Sequence, residues 1–151
     1  MTQVAIRAAA VSEQKALESV QWRASLNNPG DREALLANPD AIVLPIAQIA
    51  AGGVFVAEIG ASLLGFAAIL PRDDGDCELD ALFVEPGAWR QGVGRALVGH
   101  CCAAARDAGA RALHVVGNPH AEGFYRSCGF ALHGTQKMRF GTGLLMKRDL
   151  R

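Results

Sequence analysis

The chain has 151 residues, half of them apolar, and its 15 basic and 15 acidic side chains give a formal net charge of zero. This composition excludes a disordered chain and favours one compact domain over residues 1–151. There is no apolar run of membrane-spanning length, and the first ten residues lack a signal-peptide pattern, so we expect a cytoplasmic protein with no membrane partner.

The N-terminal part predicts a strand followed by helices. The strand covers Val4–Ala10, and Ser12 is a candidate N-cap for the helix that follows. That helix buries three residues at helical spacing: Leu17, Val20 and Ala24. The segment NNPG at 27–30 ends it. Two further helices are predicted, over Arg32–Ala37 and over Ile42–Ala51, the latter with Pro45 placed to start a turn.

The middle of the chain predicts three consecutive antiparallel strands. Two of them, GVFVAEI and SLLGFAAIL, form a hairpin around Gly60 and Ala61. A polar turn over Pro71–Asp76 leads to the third strand, CELDALFV. Because this group is rich in apolar residues, we expect it to form the core of the sheet.

The C-terminal part alternates helices and strands. After WRQGVG a helix runs to about Asp107, with Gly109 as its stop and four residues on its buried face: Val93, Leu97, Cys101 and Ala104. A strand over Ala112–Gly117 should lie parallel to CELDALFV, because a helix connects them. A short helix over Ala121–Ser127 and the strands FALHGTQ and GLLMKRDL complete the chain, with the last strand at or near an edge.

The turn WRQGVG predicts an anion site. A strand, a glycine turn and a helix start together leave backbone N–H groups without partners, and the helix dipole favours negative charge there. A Walker loop is excluded because Val93 and Gly94 stand where it needs lysine and a hydroxyl residue. A dinucleotide fingerprint is excluded because Leu97 replaces its third glycine.

Two segments, ELDALFVEPGAWRQGVGRALV and NPHAEGFYRSCGF, together with the order of elements, resemble the GNAT superfamily of acyl-CoA-dependent N-acyltransferases from about Val54 onward. The resemblance implies the GNAT fold, an α/β (α+β) fold. Its mixed, mostly antiparallel sheet has six to seven strands flanked by about four helices, and two central parallel strands part to admit acetyl-CoA. It also implies a homodimer.

By this resemblance the glycine turn holds the pyrophosphate of coenzyme A. The cradle then comprises six residues: Gln91, Gly92, Val93, Gly94, Arg95 and Ala96. The chain departs from the family at Trp89, where Gln or Arg is usual. Arg90 or Arg95 is then the candidate for a side-chain contact to phosphate, since a guanidinium binds phosphate through two hydrogen bonds.

The strand before the turn and the residue after the next strand extend the coenzyme site. In the family, the exposed backbone of that strand pairs with the pantetheine arm, which here assigns Leu82, Phe83 and Val84. The amide of Leu82 corresponds to the group that polarises the thioester carbonyl. Asn118 corresponds to an asparagine near the pantetheine.

Two kinds of catalytic residue follow from the chemistry and the resemblance. Tyr125, the single tyrosine, is the acid that protonates the departing thiolate, and its reference pKa of about 10 against about 8.5 for a thiol suits that step. An alkylamine must first lose a proton, which costs about 4.6 kcal/mol at pH 7. Glu78 is the leading candidate base, Asp80 the reserve, and His120 a third candidate.

The charge pattern bears on the acceptor. Side-chain alternation predicts that Glu78, Asp80, Leu82 and Val84 share one face of their strand. With Asp73, Asp74 and Asp76, the acids form one negative rim, which favours a cationic amine acceptor. From Pro86 onward there are ten Lys or Arg against three Asp or Glu, which favours a basic side for the coenzyme phosphates.

Several other functional motifs are missing from the sequence. There is no HExxH or closely spaced His/Cys set for a metal, no CxxC pair among the four cysteines, and no GxSxG elbow. Basic residues are not interleaved with aromatics, so nucleic acid is not an expected partner. The sequence therefore predicts transfer of an acetyl or longer acyl group to an amine in a ternary complex; the alternative is a non-catalytic acyl-CoA sensing module.

Overall fold

The computed structural model describes residues 3–28, 31–139 and 141–151. Its five α-helices are α1 (Gln14–Leu26), α2 (Arg32–Ala37), α3 (Ile46–Ala50), α4 (Val93–Asp107) and α5 (Glu122–Ser127). Its seven strands are β1 (Ala5–Ala8), β2 (Val54–Ile59), β3 (Ser62–Pro71), β4 (Cys77–Val84), β5 (Ala112–Gly117), β6 (Ala131–Met138) and β7 (Gly141–Asp149). Three short 3₁₀ turns cover Val11–Glu13, Pro86–Ala88 and Pro119–Ala121.

The strands form one mixed sheet in the order β1-β2-β3-β4-β5-β7-β6. Within the described ranges β4 and β5 are the one parallel pair, and all other neighbours run antiparallel. The parallel pair arises because α4 crosses over between the two strands, as predicted. The last strand, β7, lies one position in from the edge that β6 forms, which confirms its placement near an edge.

Helices cover the sheet on both faces. Helix α4 presents its apolar face to one side, where Val93, Leu97 and Cys101 are buried. Helices α1 and α3 cover the other side over β2–β4, with Leu17, Val20 and Ile49 buried against it. Alternating residues of each strand serve the two cores: Val56 and Phe66 belong to the α1 side, and Ala57 and Ala67 to the α4 side.

Two local predictions about helix starts are wrong. Ser12 is not the N-cap of α1, because a 3₁₀ turn precedes this helix and Glu13 occupies the cap position. The third helix begins at Ile46, not Ile42, because Pro45 is its extended N-cap. In the predicted stop segment of the first helix, residues 29 and 30 lie outside the described residues, and α1 ends at Leu26.

The buried side of α4 agrees with the predicted pattern except at Ala104, which is only partly buried, whereas Ala105 is fully buried. All four cysteines are buried and free. Burial raises the pKa of Cys101 to about 12, so this thiol stays protonated at neutral pH. None of the helices in the described ranges has the length and apolar character needed to cross a membrane.

Candidate coenzyme and acceptor site

The sheet opens between its two parallel strands. Cys77–Leu79 of β4 pairs with Leu113–Val115 of β5, and no pairing between the two strands follows in the described residues. From that point β4 continues to Val84 and β5 to Gly117, so a gap lies between their carboxyl ends. Ligands of open sheets bind at such carboxyl ends, because the backbone groups there are not used by a neighbour.

A β-bulge at Asp80 marks the start of the gap. On the β3 side Leu79 pairs with Ile69 and Ala81 with Ala68, which leaves Asp80 without a partner. The extra residue shifts the alternation of side chains by one position. Odd-numbered residues before the bulge and even-numbered residues after it therefore face the same side of the sheet.

The bulge overturns the predicted common face of Glu78, Asp80, Leu82 and Val84. Leu82 and Val84 pack with the α4-side core, to which Leu79 also belongs. Glu78, adjacent to Leu79, therefore faces the α1 side, as do Ala81 and Phe83 beyond the bulge. Asp80 also faces the α1 side, because its carboxylate accepts a hydrogen bond from Gln48 Nε2 of α3 at 3.3 Å.

The free edge of β4 exposes particular backbone groups. The N–H of Glu85 donates to Leu64 O at 2.7 Å and so points toward β3. Backbone groups alternate in direction along a strand, so those of Phe83 also point toward β3, whereas those of Leu82 and Val84 point into the gap. Of the three residues predicted to pair with pantetheine, Leu82 and Val84 therefore have the required backbone orientation and Phe83 does not.

Trp89 forms a hydrogen bond to one of these backbone groups. Its indole N–H donates to Val84 O at 2.7 Å, while 38% of the residue remains exposed. The N–H and C=O of Leu82 and the N–H of Val84 remain directed into the gap. The tryptophan at position 89, where the family usually has Gln or Arg, thus has a structural role: it provides a hydrogen-bond donor for the last carbonyl of β4.

The glycine turn, which is the predicted cradle, lies at the start of α4. Gly92 is the N-cap with φ +83°, a left-handed conformation that glycine adopts without steric cost, and a Cβ built on it would meet nothing within 4 Å. The first backbone bond into the helix runs from Ala96 N–H to Gly92 O at 3.0 Å. The helix therefore supplies no acceptor to the N–H groups of Val93, Gly94 and Arg95, and these three amides fit an anion.

Ala96, also assigned to the predicted cradle, has no free N–H to offer, because its N–H donates to Gly92 O. Gly94 serves packing as well: a Cβ there would lie 3.2 Å from the Phe124 ring. Its lack of a side chain lets α5 approach the first turn of α4. This approach brings Phe124 to the wall of the gap.

The polar side chains of the turn have different partners. Arg95 donates to Ser127 O and Oγ, each at 3.0 Å, and so ties α4 to α5. Gln91 Nε2 donates to Gly87 O at 3.3 Å. Arg90 is exposed and has φ +65°, a left-handed conformation uncommon for a residue other than glycine. Of the two arginines considered for phosphate, Arg90 is the one not engaged with α5.

Two cavities flank the gap. Cavity A, of about 440 Å³, is lined by Ala24, Asn28, Leu82, Phe83, Val84, Ala88, Trp89, Arg90, Gly92, Val93, Gly94, Arg95 and Phe124. Cavity B, of about 430 Å³, is lined by Asp31, Val116, Gly117, Asn118, Pro119, His120, Met138, Arg139, Gly141, Thr142 and Gly143. Cavity A combines the cradle with the free edge of β4, and cavity B lies at the end of β5. Gln91, Ala96, Glu78, Asp80 and Tyr125 line neither cavity.

Tyr125 lies behind the gap rather than on its surface. It is 8% exposed, and a Cβ built on Gly117 would lie 3.2 Å from its ring, so the ring packs closely against the end of β5. Phe130 contacts the ring edge-on, with centroids 5.5 Å apart. Burial raises the pKa of Tyr125 above its usual value of about 10, so the hydroxyl remains protonated at neutral pH.

Sequence reasoning missed Asp31. The Nδ2 of Asn118 donates to both carboxylate oxygens of Asp31, at 3.1 and 3.3 Å, which joins the start of α2 to the end of β5. Asn118 Oδ1 also accepts the N–H of His120 at 3.1 Å. No local pattern in the sequence indicates the contact of Asp31 with a residue 87 positions away.

The acidic run is spread along β4 and the turn before it, and the cationic acceptor that it favours stays a prediction. Asp73, Asp74 and Asp76 lie before β4, at the opposite end of this strand from the cradle. The carboxylate of Asp74 pairs with Arg72 at 3.1 Å. Only Asp80 lies where the strands separate.

Asp76 fixes the paired end of β4 and β5. One carboxylate oxygen accepts the N–H groups of Arg111 and Ala112, at 3.0 and 3.3 Å, and the other lies 2.9 Å from His114 Nε2. The contact with His114 is the main cause of the lowered pKa of Asp76. Ligand atoms of Asp74, Asp76 and His114 lie within 4.8 Å of one another, a grouping that no sequence motif indicated.

Glu78, the leading candidate base, lies next to this cluster. It pairs in register with Leu70 of β3 and with His114 of β5. Its side chain faces the side of the sheet to which His114 and Val116 also belong, because Leu113 and Val115 face α4. Val116 lines cavity B, so Glu78 is on the same face as that cavity.

Comparisons with known proteins find similarity over much of the chain. The sequence model of the Acetyltransferase (GNAT) family matches residues 16–130. An uncharacterized N-acetyltransferase of Mycobacterium bovis is 34% identical over 82 residues, which cover 52% of this chain and 53% of that protein. The chain thus spans about half the length of the curated relatives it matches.

Two solved structures share the fold over nearly the whole chain. A GCN5-related N-acetyltransferase from Rhodopseudomonas palustris superposes with a TM-score of 0.79 at 18% identity, covering 99% of this chain and 97% of that one. YncA from Salmonella typhimurium, solved with its cofactor acetyl-CoA, gives a TM-score of 0.75 at 18% identity, covering 99% and 95%. On the family match and this fold, the chain belongs to the GNAT acetyltransferase family.

Proposed function

We propose that this protein is an N-acetyltransferase that moves an acetyl group from acetyl-CoA to a primary amine of a small molecule or peptide, by direct attack in a ternary complex. The observation that carries the proposal is the position of the glycine cradle beside the free edge of β4, along one cavity. Three free helix amides at one end and the Leu82 backbone at the other suit a diphosphate joined to a thioester arm.

The cradle binds the diphosphate of the coenzyme through the N–H groups of Val93, Gly94 and Arg95. The open space at Gly92 supports this role, because nothing blocks an approach to the helix start. Arg90 supplies the side-chain contact to phosphate, since Arg95 is held by Ser127. Gln91 and Ala96 shape the turn and the first helical bond.

The gap between β4 and β5 holds the pantetheine arm and the thioester. The N–H and C=O of Leu82 and the N–H of Val84 pair with the arm as a neighbouring strand would. The Leu82 N–H polarises the thioester carbonyl, and one such donor contributes about 2.7–4 kcal/mol in characterised enzymes. Asn118 borders the other side of the gap.

Glu78 removes a proton from the acceptor amine, directly or through water, and Asp80 is the alternative base. Both face the α1 side of the sheet, and Val116 on that face lines cavity B, from which we propose that the amine enters. Asp80 lies nearer to the point where the strands separate, but its carboxylate is engaged by Gln48. His120 lines cavity B and is the third candidate.

Tyr125 donates its hydroxyl proton to the thiolate that leaves as the new amide forms. Its raised pKa supports this assignment, because an acid must be protonated before the step. The ring is held by Gly117 and Phe130, so its hydroxyl has a defined position. An acceptor that arrives as an ammonium ion loses two protons on becoming an amide, one before and one after the attack. The thiolate takes up one proton from Tyr125, which is then reprotonated, and the net reaction releases one proton to water, so the base and Tyr125 return to their starting states.

The competing function is an acyl-CoA sensor that keeps the cradle and lacks amine chemistry. The test is to incubate the protein with acetyl-CoA and a panel of amines, measure free thiol release against an amine-free blank, and identify acetylated products by mass spectrometry. We expect turnover of at least one amine. Calorimetric binding of acetyl-CoA without turnover of any amine supports the sensor, and no association at all refutes both functions.

Three further properties remain predictions: a single domain over residues 1–151, a cytoplasmic location and a homodimer. Light scattering of the purified protein measures the oligomeric state. Acyl-CoA substrates of increasing chain length, compared in the thiol assay, measure whether cavity A accepts acyl groups longer than acetyl.

A further inference from the structure

Two carboxylates are partly removed from water without a cation beside them. Burial of a carboxylate is costly unless a cation or hydrogen-bond donors compensate it. In the described ranges, the other acidic side chains are either exposed or within 4.0 Å of a Lys, Arg or His nitrogen. Asp31 and Glu78 are half-buried and, among the described residues, have no such nitrogen within that distance. Glu78 is the proposed base, so the charge of Asp31 is the one that lacks a role.

Asp31 is held at the carboxyl end of β5. Asn118 Nδ2 donates to both oxygens of its carboxylate, at 3.1 and 3.3 Å, and Asn118 directly follows Gly117, the last residue of β5. Leu82, where the thioester carbonyl is proposed to lie, is near the carboxyl end of the parallel strand β4. The carboxylate of Asp31 is therefore at the same end of the sheet as the proposed reacting bond.

The partner of Asp31 orients the carboxylate without neutralising it. A side-chain amide donates hydrogen bonds and carries no charge, and each carboxylate oxygen that accepts one hydrogen bond keeps a further lone pair. Asn118 is itself fixed, because its Oδ1 accepts the N–H of His120 at 3.1 Å. The result is an oriented negative charge with remaining capacity for a cationic donor.

Cavity B gives a ligand access to this charge. Asp31 lines the cavity, whose volume of about 430 Å³ suits a small molecule. Val116 and Met138 also line it, and their side chains favour contact with an aliphatic part of a ligand. Arg139 is a further lining residue, and its guanidinium is engaged by Asn38 Oδ1 at 3.3 Å rather than by Asp31.

We propose that Asp31 binds the ammonium group of the acceptor in cavity B, before Glu78 removes its proton, and so selects amines that arrive positively charged. The inference rests on the proposed function for the step that follows binding, and on Asp31, Asn118 and cavity B for recognition. An alkylamine, with a pKa of about 10.4, is mostly an ammonium ion at pH 7 and forms charge-assisted hydrogen bonds to a carboxylate. An alcohol of the same shape lacks this charge.

The test measures binding in the presence of coenzyme A, which has no acyl group to transfer. n-Butylamine, n-pentylamine and n-hexylamine, and the matching primary alcohols, are titrated into the protein at pH 7 by calorimetry. We expect the best amine to bind about tenfold more tightly than its alcohol, or better, because hydrogen bonds to charged groups are the stronger ones. Added salt should reduce this preference, because the ion pair forms in a cavity open to solvent.

Variants assign the preference to Asp31. Asp31→Asn keeps the shape and an oxygen that accepts from Asn118, and it removes the charge. We expect it to lower the affinity for the amine about tenfold and to leave the affinities for the alcohol and for coenzyme A unchanged. Asp31→Glu retains a carboxylate and should retain the preference for the amine. Glu33→Gln removes an exposed carboxylate from the same helix, outside cavity B, and is the matched control.

Two binding results contradict the proposal. One is equal affinity of the unsubstituted protein for amine and alcohol, including no binding of either. The other is a preference for the amine that persists in Asp31→Asn. Thermal unfolding and coenzyme A binding establish that this variant is folded.

Turnover of the same amines separates this inference from the proposed function. With acetyl-CoA, Asp31→Asn should raise the KM for the amine about tenfold and leave kcat within about a factor of two, because the lost contact is made on binding. Asp31-dependent binding of the amine without acetylation supports the ammonium site and refutes the acetyltransferase function. Acetylation with a KM that Asp31→Asn leaves unchanged supports the function and refutes the ammonium site.

Discussion

The two ends of β4 differ in what surrounds them. At Cys77–Leu79 the strand pairs on both sides, and Asp76 just before it binds the start of β5. At Leu82–Val84 the strand pairs only with β3 and presents backbone groups to cavity A. One inserted residue, Asp80, separates the two environments. A single bulge thus divides one continuous strand into a part that holds the sheet and a part whose free backbone groups border a cavity.

The largest expected effect concerns Tyr125, beside the open end. Tyr125→Phe keeps the ring that packs on Gly117 and Phe130 and removes the hydroxyl. If the hydroxyl is the acid, kcat falls by about 10²–10⁴-fold. The thiol-release assay measures kcat, and calorimetry measures the affinity for acetyl-CoA, which should stay within a factor of two or so of the original.

Thermal unfolding is the control for Tyr125→Phe. An unchanged midpoint with reduced kcat assigns the loss to chemistry rather than to packing. Unchanged kcat removes Tyr125 from the mechanism and leaves it as a core residue of the α4 side.

The next effect concerns the cradle at the open end. Gly92→Val forces a β-branched residue into φ +83° and fills the space in front of the helix start. We expect the dissociation constant for coenzyme A to rise by about 10- to 100-fold, equivalent to about 1.4–2.7 kcal/mol. Gly99→Ala, on α4 where a Cβ meets nothing within 4 Å, is the matched control and should bind normally. Normal coenzyme binding by Gly92→Val contradicts the cradle.

A substitution at the paired end of β4 should lower the stability of the protein and leave coenzyme binding unchanged. Asp76→Asn weakens hydrogen bonds to Arg111, Ala112 and His114, and we expect the free energy of unfolding to fall by about 1–2 kcal/mol at pH 7. Urea denaturation measures this difference, with Asp73→Asn in the same turn as control. Coenzyme affinity of the folded variant should be unchanged.

The stability of the protein at low pH is a second test of the role of Asp76. Its pKa in the folded protein is below the ordinary value of 3.8, mainly because of His114. A lowered carboxyl pKa contributes stability that is complete above the ordinary pKa and is lost as the pH falls through the lowered one. The stability difference between the original protein and Asp76→Asn should therefore shrink below about pH 3.8. A difference that is constant down to pH 2 contradicts this account.

The smallest effect concerns Trp89. Trp89→Phe keeps an aromatic ring and removes the hydrogen bond to Val84 O. Loss of one such bond changes free energy by about 0.5–1.5 kcal/mol, so we expect a two- to tenfold change in coenzyme affinity. A gain in affinity means that the freed carbonyl pairs with the coenzyme, and a loss means that the indole orders the edge.

The helices and strands could be predicted from the sequence because the patterns that indicate them lie within short segments. The apolar runs of β2, β3 and β5 and the glycine turn before α4 predicted the strands, the crossover and the cradle. The parallel pairing of β4 and β5 followed from the intervening helix alone.

The errors arose where distant residues decide. Nothing in CELDALFV indicates the bulge at Asp80, because it depends on how β3 is paired, and so the facing of Glu78 relative to Leu82 was wrong. The contacts of Asp76 with the start of β5 could not be predicted from the acidic run, because they depend on a segment 35 residues later in the chain. Asp31 gave no signal, because its partner Asn118 follows much later in the chain.

The position of Trp89 makes the open end of β4 observable by light. The chain has two tryptophans, and the other, Trp22, lies on α1 beside a separate small cavity. Trp89 borders cavity A with its indole bonded to the strand that the coenzyme is proposed to pair with. In a Trp22→Phe background the emission of this one fluorophore reports occupancy of the cavity without any label, and its time course gives association and dissociation rates directly.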